Sequence, residues 1–274
     1  MSSKQQSAEA TPISGKDRSI QGDSAPIQAN KIWKEKPLIY VLDRSRWPTP
    51  TEFRQMHKPL LDTLELIATV KFARNGDQAR SALALKPHAV LLAHHECVPD
   101  SGEPMNDTLF NYMCGGGILI LTGNCVASTK YVDLNRFLRH FEVDWTIGDN
   151  TWTVCDTFLN DTFETLKYDY LENEIEGIDA NYVSVRNRND AWYIAADSGD
   201  ALIAVGKVGD GRLGFIGDKF SRPATYAAVL AMCGLPGLAK LDRTEWGDED
   251  RTEVEMSLRE LIVDSLLNPG RTVE

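Results

Sequence analysis

A short, uninterrupted apolar run near the middle of the chain constrains the fold more than any other feature. The run is Ile118–Leu121, which follows three glycines, Gly115–Gly117, and precedes the polar turn Thr122–Cys125. It lacks alternation of polar and apolar residues, which is typical of a strand buried on both faces of a parallel sheet. The turn after such a strand lies at the carboxyl edge of the sheet, where ligands and catalytic groups usually collect.

Similar apolar segments alternate with amphipathic ones through the first half of the chain. The predicted strands are 37–43, 67–72, 88–94 and 118–121, and the predicted helices are 51–65, 77–85, 105–114 and 133–141. Alternation at this spacing indicates βαβ units. The second half has shorter β-like segments, with a hairpin turn at Gly209–Gly211. We therefore expect a three-layer α/β sandwich whose mostly parallel sheet carries a C-terminal antiparallel hairpin.

The composition divides the chain into three parts. Residues 1–30 contain almost no large apolar groups and are predicted to form a disordered N-terminal tail, because they cannot bury enough surface to offset ordering. Residues 31–240 hold the predicted α/β domain. Residues 241–274 contain an acidic loop and a predicted amphipathic helix at 252–267.

The overall charge excludes several classes of partner. The net charge is -11, whereas a general nucleic-acid binder needs a basic surface. The same charge argues against docking on an anionic membrane, and no apolar run reaches the roughly 18 residues of a membrane span. The N-terminus has no signal-peptide pattern. We expect a cytoplasmic protein, with the nucleus as an alternative, and no nucleic-acid or membrane partner.

Neither the cysteines nor the glycines predict a metal or cofactor. The five cysteines are scattered and lack CxxC spacing, so reduced thiols are expected rather than disulfides or a zinc site. Gly115–Gly117 precedes its strand and lacks the GxGxxG spacing of a dinucleotide site. The segment 206–214 lacks the Lys-Ser/Thr end of a phosphate loop. We predict no metal and no cofactor.

Several segments together resemble a known superfamily. They are GGG followed by ILILTG, the helix DLNRFL at 133–138, the short strand before Gly148-Asp149, and the hairpin GKVGDGRLGFIGD at 206–218. Over 37–235 the chain resembles class I glutamine amidotransferase-like domains, most of all the branch that includes GIFT and ThuA-like domains. The resemblance implies a flavodoxin-like three-layer sandwich and, in this branch, often no amidotransferase chemistry.

Cys125 is the candidate nucleophile that the resemblance suggests. The active enzymes of the superfamily carry a Gly-x-Cys-x-Gly elbow, and a His-x-Glu pair follows later in the chain. Gly123 matches the first glycine, but Ala127 stands at the second, and no histidine follows His140. Asp218 lies where the catalytic histidine would be expected. Without an imidazole the thiol stays mostly protonated near pH 7, since its unperturbed pKa is about 8.5, and the triad is predicted to be absent.

His94, His95 and Glu96 form a second candidate at the end of the third strand. One histidine could act as the base for Cys125, with Glu96 orienting its ring. The alternative is that these residues end the strand and bond to loop backbone. A metal site is unfavourable, because adjacent residues of an extended chain point to opposite faces.

Acidic residues follow several predicted strands, so the crevice at the carboxyl edge is expected to be negative. Such a crevice favours a cationic or polyhydroxylated ligand, or a divalent ion held through water, while helix capping is the alternative role for these residues. The acids are Asp43, Glu96, Asp149 and Asp218. The predicted ligand-binding residues are Asp43, Gly123, Asn124 and Asp218.

Three functions remain open from the sequence. The first is a non-catalytic amidotransferase-like domain, a pseudoenzyme that binds a protein partner or small ligand at the carboxyl edge. The second is a hydrolase or amidotransferase that uses Cys125 with His94 or His95. The third is a ThuA-like carbohydrate-related role, which requires a sugar-sized pocket lined by some of the six tryptophans.

Overall fold

The computed structural model describes residues 36–43, 54–55, 57–99, 103–148, 153–160, 170–218 and 223–235. The predicted N-terminal tail and the predicted C-terminal helix lie outside these residues, and the three proposed domain boundaries stay predictions. Across the described ranges, no helix combines the length and apolarity needed to cross a membrane.

The described chain alternates strands and helices in its first half and is richer in strands in its second. The strands are β1 (Leu38–Leu42), β2 (Thr69–Ala73), β3 (Ala89–Leu92), β4 (Ile118–Leu121), β5 (Trp145–Thr146), β6 (Thr153–Leu159), β7 (Glu174–Ala180), β8 (Ser184–Val185), β9 (Ala191–Ala195), β10 (Ala201–Val208) and β11 (Gly211–Ile216). The helices are α1 (Lys58–Ile67), α2 (Gly76–Ala84), α3 (Pro104–Cys114), α4 (Asn124–Ser128), α5 (Tyr131–His140) and α6 (Pro223–Met232). Short 3-10 turns occupy His95–Cys97 and Arg188–Asp190.

Nine of these strands form one sheet in the order β2-β1-β3-β4-β11-β10-β9-β6-β7. The strands β2, β1, β3, β4 and β11 pair in parallel. The hairpin β10–β11 then reverses the direction, and β9, β6 and β7 continue the sheet with antiparallel pairs. The predicted flavodoxin-like α/β class with its antiparallel hairpin is therefore confirmed, and the antiparallel part extends three strands beyond that hairpin.

The helices cover both faces of the sheet. In β1, Ile39 and Val41 pack into one buried cluster with α1 and α6, whereas Tyr40 and Leu42 pack into the other with α2, α3 and α5. The run Ile118–Leu121 divides in the same way, since successive side chains of a strand point to opposite faces. Burial on both sides explains why this segment is apolar throughout.

The two glycine-rich motifs of the sequence lie against each other beside β4 and β11. Gly117 accepts a hydrogen bond from the backbone N–H of Arg212 at 3.1 Å. A Cβ on Gly211 would collide with the Gly117 carbonyl, and one on Gly117 would collide with the ring of Tyr112. The close approach of backbone therefore requires glycine at 211, and the packed Tyr112 ring requires it at 117.

Three local features differ from the sequence predictions. Helix α2 begins at Gly76, one residue before the predicted start at 77, because the Asn75 side chain caps it by accepting from the Gln78 N–H at 2.9 Å. The turn after β4 continues into the five-residue helix α4, which the sequence did not predict. Strand β7 was also missed, because EIEGIDA has few strand-favouring residues and lies at the sheet edge, where β6 is its one partner among the described strands.

The segment 159–171, whose polar and aromatic residues predict a short helix, falls mostly outside the described residues. Leu159 ends β6, and Tyr170 and Leu171 lie in a turn before β7. The two tryptophans whose side chains are described, Trp145 and Trp192, are buried in the core. They therefore do not form a ligand-binding surface.

Candidate functional site

The parallel strands bring four of the predicted site residues to one edge of the sheet. Asp43 follows β1, His94 lies two residues after β3, Gly123 two residues after β4, and Asp218 two residues after β11. Because these strands run in the same direction, their carboxyl ends share an edge. The predicted placement of these residues at the carboxyl edge follows from this topology.

Gly123 occupies the sharp turn between β4 and α4. Its backbone angles are φ +55° and ψ -131°, a strained combination that strongly favours glycine. In a nucleophile elbow, the nucleophile itself sits on such a strained strand-to-helix turn, which exposes its side chain. Here the residue in that conformation has no side chain, and Cys125 lies two residues further along, inside α4.

His57 lies over this turn, and the sequence analysis did not identify it. A Cβ on Gly123 would lie 2.7 Å from the His57 Cε1, so the imidazole fills the space that a side chain would need. His57 is the N-cap residue of α1, with Pro59 in the first turn. A proline in the first turn usually marks the start of a helix. This signal would have placed His57 in the connection that follows β1, at the carboxyl edge, instead of inside the predicted helix 51–65.

Burial controls the charge of His57. Its side chain is almost wholly buried, and this lowers the pKa of the imidazole to about 4, although the nearby Asp43 carboxylate acts in the opposite direction. At neutral pH the ring is therefore uncharged. Asp43 is itself buried at the end of β1, and its backbone N–H donates to the Ala73 carbonyl at 3.0 Å.

Cys125 is fully buried beneath this edge. Burial raises the pKa of its thiol well above the ordinary value, and proximity to Cys97 raises it further. No hydrogen bond joins the thiol to an imidazole within the described ranges of the chain. A protonated, inaccessible thiol is a poor nucleophile, so the predicted catalytic role of Cys125 stays a prediction that this geometry does not favour.

His94, His95 and Glu96 form the connection that leaves β3. His94 is buried, and its Nδ1 accepts from the Glu96 backbone N–H at 3.3 Å, so that it caps the 3-10 turn. The two imidazole rings lie 4.1 Å apart at their centroids. His95 and Glu96 line a pocket instead of contacting Cys125 through a hydrogen bond.

The remaining predicted ligand-binding residues have intramolecular roles. Asp218 is buried and accepts from the Thr225 hydroxyl of α6 at 3.0 Å. The Asn124 side chain accepts from the Ser128 hydroxyl at 2.9 Å, within α4. Asp149 lies outside the described residues. A ligand-binding role for Asp43, Gly123, Asn124 and Asp218 stays a prediction.

A pocket of about 730 Å³ opens beside the ends of β3 and β4. Its walls come from the β3–α3 connection, the start of α3, the α4–α5 connection and helix α5. The charged residues on its walls are Glu96, Glu103, Lys130, Asp133, Arg136 and Arg139. None of the described residues that line it is a tryptophan, so these residues do not supply the tryptophan that the carbohydrate-related prediction requires.

Helix α5 forms one wall of this pocket, and a single asparagine fixes its position. The Asn135 side chain donates to the Ile147 carbonyl and accepts from the Ile147 N–H, both at 2.7 Å. Asn135 belongs to the DLNRFL segment of the resemblance. The segment thereby ties α5 to the chain that follows β5.

The described side chains include no cluster of three or more His, Cys, Asp or Glu residues able to hold a metal ion.

Comparison with known proteins bears on the fold. No protein-family model matches this sequence, and no curated protein is significantly similar to it in sequence. Among solved structures, a ThuA-like protein from Bacteroides uniformis is similar with a TM-score of 0.53 and 11% identity, over 74% of this chain and 92% of that one.

Two further solved structures are similar at lower scores. A ThuA-like protein from Parabacteroides merdae has a TM-score of 0.48 and 12% identity, over 78% of this chain and 94% of that one. A cytoplasmic protein from Salmonella typhimurium has a TM-score of 0.48 and 10% identity, over 72% of this chain and 95% of that one. The likeness to the Bacteroides uniformis structure establishes a ThuA-like α/β fold for this chain.

Proposed function

We propose that this chain is a non-catalytic, amidotransferase-like domain that binds a small polar ligand at the carboxyl edge of its sheet. The observation that carries the proposal is the elbow itself. Its strained position is Gly123, which has no side chain, and the imidazole of His57 fills the space above it. An amidotransferase-like domain that has no nucleophile at the elbow can still bind a ligand at the carboxyl edge of its sheet.

The pocket beside β3 and β4 supports the binding part of the proposal. Small-molecule sites commonly occupy about 300–1,000 Å³, and this pocket of about 730 Å³ falls within that range. Two of the predicted site residues, His95 and Glu96, lie on its walls. A protein partner at this edge and a cytoplasmic location remain parts of the prediction without further support.

A carbohydrate-related role is the second candidate. The ThuA-like fold and the many hydrogen-bonding groups on the pocket walls favour a polyhydroxylated ligand. The described residues on those walls include no tryptophan, and this weighs against the candidate, because sugar rings usually stack on aromatic faces. Titration of the full chain with a panel of monosaccharides and disaccharides tests this candidate, and weak, unselective binding contradicts it.

Alkylation of the native protein tests the non-catalytic assignment. The full chain is treated with iodoacetamide at pH 6 and at pH 8, and each cysteine is quantified by peptide mass spectrometry. Cys114 and Cys155 are partly exposed and serve as internal controls for Cys125. We expect the two controls to react at pH 8 and Cys125 to stay unmodified at both pH values, because its thiol is buried and protonated.

Rapid, stoichiometric alkylation of Cys125 at pH 6 would overturn the proposal. The variants His94→Ala and His95→Ala then decide between mechanisms. If either variant abolishes that reaction, an imidazole activates the thiol, and the hydrolase or amidotransferase alternative is favoured.

A further inference from the structure

We propose that the pocket between the β3–α3 connection and helix α5 binds a small ligand that carries an anionic group and a cationic group some distance apart. This inference rests on the proposed function, because it names the chemical class of ligand for the same edge. It is carried by four charged side chains of the pocket that the protein leaves without partners.

The four side chains are of both signs. Lys130 and Arg139 lie on the α4–α5 connection and helix α5, and Glu96 and Glu103 lie on the β3–α3 connection. No ion pair or side-chain hydrogen bond is formed by any of the four within the described part of the chain. Charges of opposite sign therefore face the same pocket without meeting within the 4.0 Å of an ion pair.

The other charged groups of the pocket are already paired. Arg136 bonds to Asp133 at 3.2 Å, and His140 lies 3.4 Å from Asp107, next to the pocket. Among the described lining residues, the unpaired set is therefore two cations and two anions. Their formal charges cancel, but the cations and the anions lie on different segments of the chain.

This distribution discriminates between ligands. A ligand with only negative groups is attracted to Lys130 and Arg139 but repelled by Glu96 and Glu103, and a ligand with only positive groups meets the reverse. A ligand with both charges can place its anionic group near Lys130 and Arg139 and its cationic group near the two glutamates. It thereby avoids the like-charge repulsion that weakens binding of singly charged ligands. The charge pattern thus gives specificity for a zwitterion of suitable length.

His95 adds a polar ring nitrogen to the same wall as Glu96. Its Nδ1 is buried and has no hydrogen-bond partner among the described residues. Buried polar atoms in proteins usually have a partner from protein, water or ligand. A ligand hydroxyl or amide in the pocket would supply one.

The test is calorimetric titration of the full chain with a length series of unbranched ω-amino acids, from glycine to 8-aminooctanoate. Each is compared with the alkanoate and the alkylamine of the same chain length, at low ionic strength. We expect one length to bind about fivefold more tightly than either singly charged compound, because each of these makes one partly solvated ion pair and the ω-amino acid makes two. Sodium chloride should weaken that preference, because salt screens exposed charges.

Two variants assign the charges. Glu103→Gln should remove the advantage of the ω-amino acid over the alkanoate, and Arg139→Gln should remove its advantage over the alkylamine. Arg212→Gln is the matched control, since Arg212 is exposed on β11 and does not line the pocket. It should bind like the parent protein.

Two results would overturn the inference. One is that every ω-amino acid binds no better than its singly charged counterparts, and the other is that the preference persists in both pocket variants. Neither result alters the alkylation pattern of Cys125. Conversely, a reactive Cys125 together with selective binding of the series would refute the proposed function and leave the pocket assignment standing.

Discussion

The imidazole of His57 lies over Gly123 so closely that a Cβ on the glycine would be 2.7 Å from the ring Cε1. Two independent constraints therefore act at one residue: the positive φ of Gly123 and the packed ring above it. A nucleophile could not be restored here by a single substitution without moving His57. The missing elbow side chain and the buried histidine are parts of the same packing arrangement.

Substitution Gly123→Ala should destabilise the fold more than alanine at another positive-φ glycine. The strained backbone and the contact with the His57 ring each cost free energy, together about 2–4 kcal/mol. Gly116→Ala is the matched control, because Gly116 has φ +95° and no atom within 4 Å of a Cβ. Urea unfolding of both variants gives the comparison.

The double variant separates the two costs. If the ring contact matters, Gly123→Ala should cost about 1–2 kcal/mol less in a His57→Ala background than in the parent chain. Equal costs in both backgrounds would show that backbone strain alone is responsible.

The buried His57 should make stability fall on mild acidification. Its folded pKa of about 4 lies below the ordinary value of 6.5, so between these values the unfolded chain takes up a proton that the folded chain does not. The free energy of unfolding therefore decreases as the pH falls from 6.5 to about 4, by about 3 kcal/mol for this group, and the penalty is absent above 6.5.

Urea unfolding between pH 7.5 and pH 4.5 measures this effect. His57→Gln should flatten the profile, whereas His140→Gln, which removes a histidine at the helix surface near Asp107, should keep the decrease. Asp43→Asn should lower the pKa of His57 further, because the carboxylate favours the charged ring. Identical profiles for the parent and His57→Gln would contradict the assignment.

The sequence predicted the parallel half of the sheet well because its central strands β1, β3 and β4 are buried on both faces. Short apolar runs such as Ile118–Leu121, bounded by turn residues, are typical of such strands. Strand β7 escaped prediction because its order comes from pairing with β6 rather than from apolar side chains. The hairpin turn at Gly209–Gly211 was predictable because it depends on local backbone conformation.

The site was predictable only to the level of the sheet edge. Their positions after predicted strands placed Asp43, His94 and Asp218 at the carboxyl edge. However, no sequence pattern shows whether a polar side chain there faces a pocket or a neighbouring helix. His57 was missed because it contacts Gly123 across 66 residues of sequence, and no local pattern indicates such a contact. The pocket charges of α5 were missed because a charged helix face usually indicates exposure to solvent.

Asn135 should be important for stability although it is a polar residue on a helix. Asn135→Ala removes both hydrogen bonds to the Ile147 backbone, and we expect a loss of about 2 kcal/mol. Asn135→Asp keeps the acceptor for the Ile147 N–H but not the donor, so its cost should be about half as large. Thermal and urea unfolding measure both variants, and a cost of Asn135→Ala below about 0.5 kcal/mol would contradict the anchoring role.

Substitution of Thr225, which donates a hydrogen bond to Asp218, tests whether the carboxylate at the end of β11 stabilises the fold. Thr225→Val preserves the shape but removes the hydroxyl that donates to Asp218 at 3.0 Å, leaving a buried carboxylate with one donor fewer. We expect a loss of about 1–3 kcal/mol, whereas Thr225→Ser keeps the donor and should cost only its missing methyl group, about 1 kcal/mol. If the two variants are equally stable, the bond contributes little. In that case the Asp218 carboxylate is not needed to hold α6, and its predicted role in ligand binding at the carboxyl edge is favoured.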